Sequence, residues 1–170
     1  MTKRKAIILV EELFNLFELW YPYYRLKEAG VDVTVVGPVK GKMYQGKPGT
    51  EIKADFSPEE IDPGIYDALV IPGGYAPDMM RRYPSMVDIV KKMDAAGKPI
   101  AAICHAGWML ISAGILKGRK ATSFFAIKDD MVNAGAIWED SEVVVDRNLI
   151  TSRKPDDLPA FMKALLKIMK

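Results

Sequence analysis

The first patterned segment of the chain is a continuous apolar run, Ala6-Ile7-Ile8-Leu9-Val10, with charge on both sides. Unbroken runs of this length read as strands buried on both faces, whereas half-exposed strands alternate apolar and polar residues. Val31–Val36, Ala68–Ile71 and Pro99–Ile103 read the same way. Between them lie segments with helical patterning, from about Asn15 to Ala29, closed by Gly30, and from Tyr83 to Ala96, closed by Gly97. A glycine just past the last helical residue takes the left-handed conformation that ends helices. Pro22, inside the first of these, predicts a kink or a later start. Pro38 to Gly49 reads as a hairpin or flap, and Ser57-Pro58-Glu59-Glu60 as a short helix start with Pro at its first position. The last third predicts a short strand near Lys120-Ala121-Thr122 and a short helix from Asp129 to Asn133. A strand pair, Glu142–Val145 and Leu149–Ser152, turns at Asp146-Arg147-Asn148. The closing helix runs from Pro155 to Met169, with Asp156 and Asp157 in its first turn, where carboxylates favour the helix dipole.

Strands alternating with helices predict an α/β fold with a mostly parallel sheet covered on both faces. In such sheets the working site lies beyond the carboxyl ends of the strands. Three segments arrive there: the stretch after Val10, the loop Pro72-Gly73-Gly74, and Cys104.

Composition narrows the picture. A chain of 170 residues, 49% hydrophobic, suits one domain with a full core, and no repeats or linkers divide it. Lys+Arg 24 against Asp+Glu 22 leaves a net charge of +2 with the basic residues scattered, so no nucleic-acid partner is expected. No apolar stretch reaches the ~20 residues of a membrane-spanning helix. Met1-Thr2-Lys3-Arg4-Lys5 is charged like the start of a secretory signal, but Glu11 and Glu12 interrupt the apolar run behind it. A single cysteine cannot form an internal disulfide and fits a reducing cytoplasm, and with a single histidine it makes a metal site improbable.

That cysteine and that histidine are neighbours, Cys104-His105, where the apolar run ending at Ile103 meets the helix-like stretch Ala106 to Ile111. This is the layout of a strand turning sharply into a helix to present a nucleophile, with small residues, Ala102 and Ala106, beside the strained turn. The helix dipole at that position favours the thiolate and predicts a lowered thiol pKa. The alternative is an inert buried thiol beside a histidine that merely begins a helix. Adjacent residues on a regular helix do not face one another, so His105 can serve as a base only if the turn breaks helical geometry. Its ring also needs an orienting carboxylate or carbonyl.

Several linked motifs then become familiar: Glu18-Leu19-Trp20-Tyr21-Pro22, Ala68-Leu69-Val70-Ile71-Pro72-Gly73-Gly74, Ala76-Pro77, Ala102-Ile103-Cys104-His105, Lys128 to Gly135, and Ser152-Arg153 with Pro155. In this order, over nearly the whole chain, they resemble the PfpI family of intracellular cysteine peptidases, within the class I glutamine-amidotransferase-like superfamily. The resemblance implies a flavodoxin-like sandwich with a nucleophile elbow and no cofactor. It implies Cys104 as nucleophile, His105 as its partner, and Glu18 as a carboxyl group leaning on the sulfur. A partly buried carboxylic acid can donate to a thiolate and hold it ionised. Gly74 and the backbone N–H of His105 correspond to the oxyanion hole. The family's third catalytic group, a glutamate supplied to a neighbouring subunit, corresponds to Asp78, one methylene shorter, and a homo-oligomer with sites near subunit contacts is implied.

The departures gather near the same place. Asn15 and Leu16 stand where acidic residues are common, Tyr75 where an arginine often follows Pro-Gly-Gly, and Trp108 in the stretch after Cys-His. Phe124-Phe125 replaces a segment that usually carries a tyrosine. These changes predict a substrate pocket, lined by Tyr75, Trp108, Phe124 and Phe125, that is more aromatic and less polar than usual; packing in the core or a subunit contact is the other reading. Two functions compete. One is an enzyme in which Cys104 attacks the carbonyl of a small-molecule or peptide substrate, giving peptide hydrolysis or conversion of 2-oxoaldehydes and glycated adducts. The other is a non-catalytic stress or redox protein that works through oxidation of Cys104.

Overall fold

The computed structural model describes residues 3–170; Met1 and Thr2, which open the charged N-terminal run, lie outside the described residues. In chain order the elements are β1 (Lys5–Leu9), β2 (Phe14–Asn15), α1 (Leu16–Glu28), β3 (Asp32–Val36), β4 (Met43–Lys47), β5 (Glu51–Lys53) and β6 (Ala68–Ile71). They continue through α2 (Ala76–Met80), α3 (Pro84–Ala95), β7 (Ile100–Ile103), α4 (Gly107–Ala113), β8 (Lys120–Ala121) and α5 (Lys128–Asn133). The chain closes with β9 (Ile137–Trp138), β10 (Val144–Asp146), β11 (Leu149–Ser152) and α6 (Leu158–Ile168).

The central sheet has six strands in the order β10-β11-β7-β6-β1-β3. Only β10 runs antiparallel; β1 pairs in parallel with β3 and β6, β6 with β7, and β7 with β11. Register places Ile7 opposite Leu69 and Leu69 opposite Ile100, so the apolar runs stack side by side. All four residues of β6 and of β7 are buried, as expected for strands covered on both faces. No helix among the described residues is long and apolar enough to cross a membrane.

Most boundaries match the sequence reading, and the differences have physical causes. Pro22 does not delay α1: the helix starts at Leu16, because the Asn15 side chain caps it by accepting from the N–H groups of Phe17 (3.0 Å) and Glu18 (3.3 Å). The Pro38–Gly49 segment is the first arm of a hairpin, β4 against β5. Three elements were not expected. Strand β2 pairs with β4, α2 follows Pro-Gly-Gly, and β9 pairs with β8. Away from the site, buried Arg119 ties α3 to the β10–β11 turn, bonding Asp94 (2.7 Å), the Asp146 carbonyl (2.6 Å) and Asn148 (2.7 Å).

Candidate active site

The carboxyl ends of β7, β6 and β1, neighbours in the sheet, bring Cys104, the Pro72-Gly73-Gly74 loop and the stretch after Val10 together. Cys104 leaves β7 at φ +61, in the left-handed region that L-residues rarely occupy. Such strain at a non-glycine residue costs on the order of 1–3 kcal/mol and persists only where the surroundings impose it. Ala102 and Ala106 flank the turn, both buried. This turn breaks helical geometry as the sequence reading required, and it sets His105 Nδ1 at 3.2 Å from Cys104 Sγ.

The asparagine cap fixes the first turn of α1 and with it Glu18, which is fully buried. Glu18 Oε2 accepts from Gly73 N–H at 2.8 Å, while Oε1 is buried without a partner and the carboxyl lies against the Cys104 thiol. A side chain at position 73 is impossible, since a Cβ there would stand 2.5 Å from Glu18 Oε2 and 2.7 Å from Cys104 Cβ. Gly74, at φ +77, is similarly confined: its Cβ would lie 2.5 Å from both Leu13 O and Asn15 N. The backbone N–H groups of Gly74 and His105 both donate toward the sulfur. They are therefore placed where developing negative charge would be stabilised.

Burial governs the protonation states. It pushes Glu18 up to about 7, outweighing the Gly73 and Cys104 hydrogen bonds. It also pushes the Cys104 thiol up to about 12, assisted by the Glu18 charge and opposed by the Gly74 and His105 N–H groups. The lowered thiol pKa expected from the helix position is thus corrected, because desolvation of the sulfur exceeds what two amide donors return. Burial likewise pushes His105 down, so it is neutral and able to accept a proton at neutral pH. Among the described residues its ring has no carboxylate or carbonyl partner; Trp108 and Phe124 flank it instead, at centroid distances of 5.1 and 5.0 Å.

A pocket of about 500 Å³ opens on the thiol, and Glu18, Gly74, Tyr75, Cys104, His105, Trp108 and Phe124 contribute to its wall. Trp108 is anchored by its Nε1 donating to Asp130 (2.9 Å), and Phe124 by its N–H donating to the Cys104 carbonyl (3.2 Å). Phe125 packs against Phe124, with ring centroids 4.6 Å apart and planes tilted by 43°, but lines an adjoining pocket. Asp78 stands apart: on α2 it pairs with Arg82 and does not line the Cys104 pocket. The sequence reading did not assign Leu13, Asn15, Lys47, Lys154 or Pro155 to the pocket, which they also line. Asn15 was detectable as a helix cap, and Leu13, at φ +62, carries no local signal of its conformation.

A cysteine presented by a strand-to-helix elbow on a parallel α/β sheet defines a class of protein, and this chain is one of that class. More narrowly, it belongs to the DJ-1/PfpI family, which its residues 4–168 match. It is 48% identical over 166 residues to a deglycase of Pyrococcus abyssi and to Deglycase PfpI of Pyrococcus furiosus, covering 98% of this chain and 99% of each relative. Among solved structures it resembles a two-domain protein of Anabaena variabilis with DJ-1/ThiJ/PfpI-like and ferritin-like domains. That likeness has a TM-score of 0.97 at 44% identity, covering 98% of this chain and 48% of the other.

Proposed function

We propose that this protein is a cysteine-dependent deglycase, in which Cys104 attacks the aldehyde carbon of a 2-oxoaldehyde released from a glycated amine or thiol. The observation that carries the reading is the 3.2 Å approach of His105 Nδ1 to Cys104 Sγ, in a pocket that also buries a protonatable carboxyl. The names of the Pyrococcus relatives support it.

The adduct first gives back its amine or thiol, the hydroxyl proton moving to the departing nitrogen or sulfur. The Cys104 thiol then passes its proton to His105 as sulfur bonds to the aldehyde carbon, and the N–H groups of Gly74 and His105 hold the oxyanion. The hydrogen on that carbon then passes as a proton, by way of His105 or Glu18, to the adjacent carbonyl carbon, while the proton that His105 took from the thiol goes to the oxygen of that carbonyl, leaving a thioester and neutral His105. Water cleaves the thioester to a 2-hydroxyacid and restores the thiol, so the net change is adduct plus water to amine or thiol plus hydroxyacid. Peptide hydrolysis would use the same nucleophile and donors. Asp78 belongs to this reading as a group offered to a second copy's site. Sedimentation of the wild type should then show an oligomer, and Asp78→Ala should lower turnover.

The direct test is lactate formation from methylglyoxal adducts, without glutathione, by wild type and Cys104→Ser. Turnover in the wild type that vanishes in the variant is the expected result. Absence of turnover in the wild type would overturn the reading.

A further inference from the structure

The charged side chains around the Cys104 pocket have a one-sided pattern. Among the described residues, the ionisable side chains that line it besides Glu18, Tyr75, Cys104 and His105 are two lysines, Lys47 and Lys154. Lys47 ends strand β4 and is carried to the pocket by the hairpin. Lys154 follows β11 and is held there by its neighbour. Arg153 is clamped to Asp157 through three hydrogen bonds of 3.0–3.1 Å and to Asp140 at 2.7 Å. The Arg153 charge is therefore already matched. Lys154 has only Asp156 at 3.2 Å, and that carboxylate is 81% exposed, so it neutralises little.

Lys154 and Phe124 also line the adjoining pocket, of about 400 Å³, with Ser123, Phe125, Asp140 and Arg153. The two pockets thus share Phe124 and Lys154, which puts a cation where they adjoin. The Cys104 pocket alone is in the range, roughly 300–1,000 Å³, of sites that enclose drug-sized ligands. A three-carbon aldehyde needs far less.

We propose that Lys47 and Lys154 select, among the substrates this pocket takes, those bearing a carboxylate near the reactive carbonyl. The identity of the substrate rests on the deglycase reading; the preference for an anion does not. The carbonyl carbon sits at Cys104, the amine or thiol portion lies along Phe124 toward the second pocket, and its carboxylate meets the lysines.

Two measurements separate the inference from the reading beneath it. The first is alkylation of Cys104, the chain's single thiol, by iodoacetate and by iodoacetamide, followed by intact mass. In each reaction sulfur displaces iodide, and only the charge of the reagent differs. The iodoacetate-to-iodoacetamide rate ratio should fall for each of Lys47→Gln and Lys154→Gln, roughly threefold being what one unit charge contributes in water at a separation on the order of 6 Å. The drop should shrink in ~1 M salt. The second is turnover of methylglyoxal hemithioacetals of N-acetylcysteine and of its amide, at equal free methylglyoxal. The carboxylate adduct should have a several-fold higher kcat/KM, and the double variant should lose that advantage. An alkylation ratio equal in wild type and double variant overturns the inference. A ratio that falls while neither adduct turns over upholds the charge selection and overturns the deglycase reading.

Discussion

Glu18 keeps its proton because the fold removes it from water and returns only one backbone donor. Its pKa rises from 4.5 to about 7, so the folded state binds a proton that the unfolded chain has released. The resulting stability is complete below pH 4.5 and is lost as pH rises through about 7, a change of roughly 3 kcal/mol. Urea unfolding of wild type and Glu18→Gln across this window should show the slope in the first and its loss in the second. His105, depressed by burial, acts oppositely: its contribution is present above its ordinary 6.5 and fades as pH falls through the lower folded value. Because its Nδ1 lies 3.2 Å from the sulfur and can take the thiol proton, His105→Ala should lower kcat by about 10²–10⁴. Alkylation of Cys104 should slow in parallel, which loss of a packing residue alone would not produce.

Among the elements, α1 is the one whose start decides the chemistry. Asn15→Ala removes the acceptor for two helix N–H groups and should cost about 1 kcal/mol. It should also lower kcat/KM, because the same cap positions Glu18; thermal unfolding and kinetics together check both. The buried strands could be read from their apolar runs, and the elbow from the one Cys-His pair beside small residues. Pro22 misled because a proline signals locally, whereas the helix start is set by a cap in the preceding residues. Helix α2 was missed although Pro77 and Asp78 stand in its first turn, the usual mark of a helix start. Strand β2 could not be seen, since it exists through pairing with the distant β4 and with Gly74. Lys47 at the end of β4 and Lys154 after β11 belong to no sequence pattern, and only the fold brings them to one pocket.

At the scale of the molecule, the working end and the opposite end of the sheet are held by different interactions. Arg119 joins α3 to the β10–β11 turn through bonds to Asp94, Asp146 and Asn148, away from the thiol. Arg119→Ala strands a partly buried carboxylate and should destabilise the fold by about 3 kcal/mol. The alkylation rate of Cys104 in the folded protein should stay within about twofold, because none of these groups lines the pocket. The elbow carries the reverse arrangement. A cysteine held at φ +61 is a residue the backbone would rather exchange for glycine, which accepts that conformation freely. Cys104→Gly should therefore melt at a higher temperature than Cys104→Ala, by an amount equivalent to about 1 kcal/mol. The elbow is thus a position where backbone conformation and the proposed nucleophile pull toward different residues, and selection on backbone ease alone would favour glycine over any side chain there.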